Sequence, residues 1–144
     1  MIQVTPIANP QDMAKAFDIR RIVFVIEQAR PPDEEYDEHE ASSQHFLATQ
    51  QGVAVGTCRF RKTDYGYKLE RFAVLKEYRG SGAGAALLNH CLETLSPNFD
   101  FSSQHIYLHA QEHATGFYQK YGFSAQGDRF FEAGIPHFKM TYQP

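Results

Sequence analysis

Between Tyr78 and Ala85 the chain reads Arg79-Gly80-Ser81-Gly82-Ala83-Gly84, three glycines in five residues, and an apolar helical pattern follows. Glycines of this density let a backbone take positive φ and approach a ligand closely. A helix that starts there presents unpaired N–H groups and the positive end of its dipole. Loop and helix start together make a site for a pyrophosphate, and Arg79 adds a fixed positive charge. A P-loop is excluded, because no Gly-Lys-Ser/Thr follows. Gly80-x-Gly82-x-x-Ala85 also resembles a dinucleotide fingerprint. That reading wants an acid at the end of the next strand, about 20 residues on. Asp100 has the distance but precedes the next strand.

Other reactive side chains are scattered more loosely. His105, His109 and His113 stand at i, i+4 and i+8, a spacing that suggests metal on a helix. The pattern of His105–Ala110 is a strand, so the three share no helical face and no metal site is expected. Residues 33–40, DEEYDEHE, carry six carboxylates. They read as a solvated loop or short exposed helix, or as a negative wall that favours a cationic amine. Arg59, Arg61, Lys62 and Arg71 are candidates for meeting an acidic ligand group or a phosphate.

The elements that must position these groups follow from pattern. Residues 1–8 alternate loosely and read as an edge strand, since Pro6 cannot donate to a ladder. Asn9 then Pro10 starts a helix that becomes apolar all round at Ile22–Ile26 and ends near Gln28, before Pro31 and Pro32. His45–Gln51, Val53–Lys62 and Tyr67–Leu75 read as an antiparallel meander with turns at Gln51-Gly52 and Asp64-Tyr65-Gly66. Gly82–Leu95 has helical apolar spacing and stops at Ser96-Pro97-Asn98. Ile106, Leu108 and Ala110 alternate as a strand. Ala114–Tyr121 is a short helix closed by Gly122. Phe123–Asp128 and Ile135–Tyr142 are closing strands. The order predicts a mixed α/β fold in one domain over residues 1–144.

Two segments then carry a family resemblance. Val74-Leu75-Lys76-Glu77-Tyr78-Arg79-Gly80-Ser81-Gly82-Ala83-Gly84 resembles the cofactor motif V-x-x-x-(Y/F)-R-G-x-G-x-G/A of the GNAT acetyltransferase superfamily. Ala114-Thr115-Gly116-Phe117-Tyr118-Gln119-Lys120-Tyr121-Gly122-Phe123 resembles its second motif, A-x-x-F-Y-x-x-x-G-F. Val23–Gln28, Leu108-His109-Ala110-Gln111 and Gly134-Ile135-Pro136-His137 with Met140 are similar to the ElaA-like branch. The resemblance covers roughly residues 10–142. It departs where the family's second motif often opens with Asn and this chain has Gln111.

The resemblance implies a twisted, mostly antiparallel sheet of six to seven strands with one splayed parallel pair, flanked by about four helices. It implies acetyl-CoA as cosubstrate, its pyrophosphate on Arg79, Gly80, Ser81, Gly82, Ala83 and Gly84. The pantetheine arm would pair with backbone at Phe72, Ala73 and Val74, near the Gln111 amide, where Leu69–Leu75 and His105–Gln111 diverge. Tyr118 matches the family's tyrosine acid, which protonates the departing thiolate. Glu70, on the cofactor strand, is the candidate base through a water, with His109 and His137 as alternatives. The expected function is N-acetyl transfer to a small-molecule or protein amine. A non-catalytic acyl-CoA-binding module and a dinucleotide-binding oxidoreductase are the competing readings.

Composition narrows the partners. Fourteen bases against seventeen acids give a net charge of −3, which disfavours nucleic acid. No apolar run approaches the roughly 20 residues that span a bilayer, and the N-terminus lacks a signal pattern, so a cytoplasmic location is expected. Cys58 and Cys91 form no metal or disulfide pattern and read as small buried residues. Edge strands offer a surface for a homodimer.

Overall fold

The computed structural model describes all 144 residues. Strand β1 (Ile2–Pro6) leads to helix α1 (Pro10–Arg20) and a one-turn α2 (Pro32–Glu35). Strands β2 (Gln44–Gln50), β3 (Val53–Lys62) and β4 (Gly66–Val74) follow, then α3 (Ala83–Leu95), β5 (His105–Gln111), α4 (Thr115–Lys120), β6 (Phe123–Glu132) and β7 (Ile135–Tyr142). The strands form one seven-stranded sheet in the order β1-β2-β3-β4-β5-β7-β6. β4 and β5 run parallel, whereas β1/β2, β2/β3, β5/β7 and β6/β7 are antiparallel. This topology is not a doubly wound parallel sheet, so the dinucleotide-fold reading falls.

The chain divides into two compact units, residues 1–61 with 71–98 and residues 62–70 with 99–144. In the first unit, Asn9 caps α1: its side-chain oxygen accepts the Asp12 N–H at 2.7 Å, and Pro10 occupies the first turn. Ala16 and Ile19 of α1, with Val23 and Phe24 beyond it, pack against Leu47 and Ala73. The apolar helix that the sequence extends to Gln28 changes its winding after Arg20. Residues Arg21–Glu27 form a π-turn, and the Gln28 N–H reaches the Val23 carbonyl at 3.1 Å. Ile22, Val23, Val25 and Ile26 are β-branched and crowd an ordinary α-turn.

Helix α3 buries Leu87, Leu88, Cys91 and Leu92. It packs closely because β3 has Gly56, where a Cβ would stand 3.2 Å from Leu87 Cδ1 and 3.1 Å from the Ala73 carbonyl oxygen. Cys58 and Cys91 are both buried, with sulfurs 3.5 Å apart.

In the second unit Gly66 opens the parallel pairing. Its φ is +151°, and a Cβ there would run into the backbone of His105. The register runs from Gly66↔His105 to Leu69↔Leu108 and stops, although β4 continues to Val74 and β5 to Gln111. Leu69, Ile106, Leu108, Ala110 and Met140 are buried. Strand β6 is longer than the expected Phe123–Asp128, because its pairing with β7 shifts between Gln126 and Phe130 and then resumes.

Candidate active site

The glycine loop follows β4 and a turn at Lys76–Tyr78. Gly80 and Gly82 have φ of 82° and 92°, in the left-handed region that side chains resist. No atom lies within 4 Å of a Cβ built at either position, so space in front of the loop is open. Helix α3 has no side-chain cap, and its first internal bond runs from the Ala86 N–H to the Gly82 carbonyl. The preceding N–H groups of Ala83, Gly84 and Ala85 lack helical acceptors by the geometry of a helix start. Anions are favoured there.

The Arg79 guanidinium, although partly exposed, is held by the chain itself. Its two terminal nitrogens donate to the Glu27 carboxylate at 2.6 and 2.7 Å, and Nε donates to the Val74 carbonyl at 3.1 Å. The hydrogen bond from Arg79 holds the Glu27 carboxyl below its usual range. The π-turn and the glycine loop are therefore tied by charge.

Phe72, Ala73 and Val74 close β4. Just before them Arg71 has a φ of 58°, a left-handed residue inside a strand. Such backbone costs on the order of 1–3 kcal/mol and persists only when neighbours hold it. Leu75 returns to β3 with its N–H on the Val55 carbonyl at 2.9 Å.

In the second unit, period-two alternation sorts the side chains by face. Leu69, Leu108 and Met140 fill the core, while Lys68, Glu70, Tyr107, His109, His137 and Lys139 share the opposite face. Glu70 is not an exposed strand glutamate. Its side chain is 8% exposed, with Lys68 Nζ 3.3 Å away. His109 Nδ1 lies 3.1 Å from Glu132 Oε1, and His137 Nε2 lies 3.7 Å from Glu132 Oε2. The His109 hydrogen bond, helped by the charge of Lys68, outweighs burial and pulls the Glu132 carboxyl down to about 2. Lys139 sets its ammonium 3.4 Å above the Tyr65 ring. His105 stacks on that same tyrosine at 4.1 Å, and no group of three or more His, Cys, Asp or Glu is arranged to hold a metal ion. Gln111 ends β5, in register with His137.

Tyr118 sits on α4 with its ring edge-on to Phe117 and Phe123, at 5.1 and 6.0 Å between centroids. The helix ends as its sequence requires, with Gly122 at φ 92° and its N–H on the Gln119 carbonyl.

A model of the acetyltransferase (GNAT) domain matches residues 12–144. The chain belongs to the GNAT family. A Bacillus subtilis (strain 168) protein named as an acetyltransferase is 40% identical to this GNAT chain over 145 residues, 99% of this chain and 97% of that one. Escherichia coli ElaA is 32% identical over 127 residues, covering 85% and 82%. The crystal structure of ElaA superposes with a TM-score of 0.82 over 99% of this chain and 100% of that one, at 26% identity. PaiA N-acetyltransferase from Thermoplasma acidophilum, solved with coenzyme A, shares the fold at a TM-score of 0.75 and 14% identity, covering 100% and 99%. The chain is thus an ElaA-like GNAT protein.

One expectation for this GNAT chain needs correction. Of the six carboxylates in residues 33–40, Asp33, Glu34 and Glu38 are exposed as expected, whereas Glu35, Asp37 and Glu40 are held by buried arginines. Arg20, 1% exposed, donates to Glu35 Oε2 at 2.6 Å and to Glu40 at 2.8 and 2.9 Å. Arg59, also 1% exposed, forks onto Asp37 at 2.8 and 3.0 Å and reaches Glu40 at 2.8 Å. Arg71 adds Asp37 at 3.2 Å and Glu35 at 3.5 Å. Arg59 and Arg71, considered above as phosphate or acceptor contacts, are committed inside the fold. Two further residues escaped the sequence reading. Local pattern marks neither Arg20 nor Glu132, because the partners of each lie far along the chain.

Proposed function

We propose that this GNAT chain transfers an acetyl group from acetyl-CoA to a primary amine by direct attack through a tetrahedral intermediate. The observation that carries the reading is the uncapped start of α3 behind two left-handed glycines with open space before them. That is what a pyrophosphate needs, and PaiA, of the same fold, holds coenzyme A. Gly80, Ser81, Gly82, Ala83 and Gly84 would take the pyrophosphate on backbone N–H groups. Arg79 would shape the loop through its paired hydrogen bonds to Glu27. Backbone at Phe72, Ala73 and Val74 would pair with the pantetheine amides as an added strand, with the Gln111 amide as a further polar contact.

An alkylammonium, with pKa about 10, has no lone pair at neutral pH. In this mechanism Glu70 takes its proton through a water. The amine attacks the thioester carbon, the oxyanion forms and collapses, and the C–S bond breaks. Tyr118 gives its phenolic proton to the departing sulfur, and the second proton shed by the attacking nitrogen restores the phenol; a phenol near pKa 10 is protonated at neutral pH and able to do so.

The test is calorimetric titration with acetyl-CoA, with NADH as control, followed by thiol-release assays on spermidine, lysine methyl ester and kanamycin. Micromolar binding of acetyl-CoA alone with thiol release is the expected result. Binding without release from any amine assigns the chain to acyl-CoA binding, and absence of binding removes the reading.

A further inference from the structure

The proposed transfer converts an ammonium and a thioester into an amide, a thiol and one proton. Of the two protons that leave the nitrogen, one ends on sulfur. The other must reach bulk water before the next turnover. Glu70, at 8% side-chain exposure and beside Lys68, is poorly placed to discharge it directly.

On the same sheet face, one position past the last paired residues Leu69 and Leu108, stands His109. Its Nδ1 faces Glu132 Oε1 at 3.1 Å. An ionised carboxylate only accepts, so Nδ1 carries the hydrogen and Nε2 keeps the lone pair. This is the logic of a carboxylate–imidazole dyad, in which the acid fixes the tautomer and stabilises the imidazolium. The His109 side chain is 25% exposed and that of Glu132 45%, so the dyad reaches solvent where Glu70 does not. Glu132 is held ionised at neutral pH. His137 donates its Nδ1–H to the Ile135 carbonyl at 2.7 Å, and its Nε2 lies 3.7 Å from Glu132 Oε2, too far for a hydrogen bond. The other charged and polar groups around the dyad are Lys68 and Tyr107, and Lys139, whose ammonium is drawn onto Tyr65.

We propose that His109 and Glu132 form the proton exit of the transfer reaction: Glu132 holds the Nδ1–H tautomer, and His109 Nε2 takes over from Glu70 the proton lost by the acceptor amine and releases it to water. The inference rests on the acetyl-transfer reading. His109 carries the proton and Glu132 is a positioning residue. No oxidant or further reactant enters, and the proton balance is that of the transfer itself.

Two measurements on the full chain test it. Long-range ¹H–¹⁵N spectra of the wild type without ligand should show His109 as the Nδ1–H tautomer, changed in Glu132→Gln. An Nε2–H tautomer in the wild type overturns the dyad whatever the activity. With acetyl-CoA and whichever of spermidine, lysine methyl ester or kanamycin turns over, His109→Gln should lower kcat about 10²-fold, leave KM for acetyl-CoA unchanged, and regain rate with added imidazole. Glu132→Gln should move kcat the same way by less, and Glu132→Asp should restore most of it. An active wild type whose His109→Gln variant keeps its kcat, or loses it without rescue by imidazole, refutes the exit and leaves acetyl transfer standing. No thiol release from the wild type with any of the three amines refutes both.

Discussion

Arg79 and Glu27, 52 residues apart in the chain, meet through two parallel hydrogen bonds of 2.6 and 2.7 Å. The fork joins the end of the π-turn to the first residue of the glycine loop. A charge pair this exposed, 42% and 34% at the side chains, adds only about 0–1 kcal/mol to stability. Its effect should therefore appear in binding. Glu27→Gln is expected to raise the Kd for coenzyme A about 3- to 10-fold with little change in thermal midpoint. Calorimetry beside a melting curve checks this, and an unchanged Kd would detach the fork from the cofactor loop.

The buried arginine network predicts a different response. Arg20 and Glu35 are 1% exposed at the side chain, and removing one partner leaves a buried charge uncompensated. Arg20→Met should cost about 3–5 kcal/mol, measured by urea denaturation. Double replacement of Arg20 and Glu35 by apolar residues should cost less than the single change, because no buried carboxylate is then left with only Arg71 at 3.5 Å for company.

Acid should loosen the same region. Burial alone would push Asp37 and Glu40 up, but hydrogen bonds from Arg59 to Asp37 and from Arg20 to Glu40 outweigh it and hold both below their ordinary values. A depressed carboxyl stabilises the fold above its unfolded value, about 4, and that contribution is lost as pH falls through the folded value. Glu35 opposes this: burial raises it beyond what Arg20 offsets, so its contribution is present at low pH and fades as pH rises through its folded value. The two depressed groups outnumber the raised one. Stability should be flat near neutrality and fall below about pH 4, and Asp37→Asn should flatten that fall. Circular-dichroism melts across the acid range give the slope.

Tyr118→Phe keeps the ring that packs on Phe117 and Phe123 and removes only the hydroxyl. It should leave acetyl-CoA binding intact and lower kcat by about 10²–10⁴-fold. Wild-type turnover in this variant would exclude Tyr118 as the acid.

Two glycines with positive φ should separate strain from collision. Gly82→Ala meets no atom within 4 Å, so its cost is the left-handed backbone alone, about 1–2 kcal/mol. Gly66→Ala has the same kind of penalty and also drives a methyl into the His105 backbone. It should destabilise by clearly more in thermal melts and loosen the β4–β5 pairing.

Much of this molecule is legible in sequence because its signals are local. Asn9-Pro10 starts a helix, Gly122 ends one, Ile106-x-Leu108-x-Ala110 alternates, and the glycine loop stands between a strand and a helix. The acidic run shows the opposite case. Its charge is visible at residues 33–40, yet its partners are Arg20, Arg59 and Arg71, which local pattern cannot pair. Glu132 and His109 are likewise brought together by strand register across β6, β7 and β5. The π-turn is equally hidden, since its residues satisfy an apolar helix pattern and differ only in how tightly they wind.

The internal neutralisation of Glu35, Asp37 and Glu40 has a consequence for encounter rates. Carboxylates matched within about 3 Å by guanidinium groups project little field beyond one Debye length, about 8 Å at physiological ionic strength. These three carboxylates should add little to the steering of cationic molecules, which falls to the exposed Asp33, Glu34 and Glu38. Charge reversal at Glu38, which lies outside that network with a side chain 86% exposed, would alter the salt dependence of association more than any change to the three clamped acids that left the fold intact.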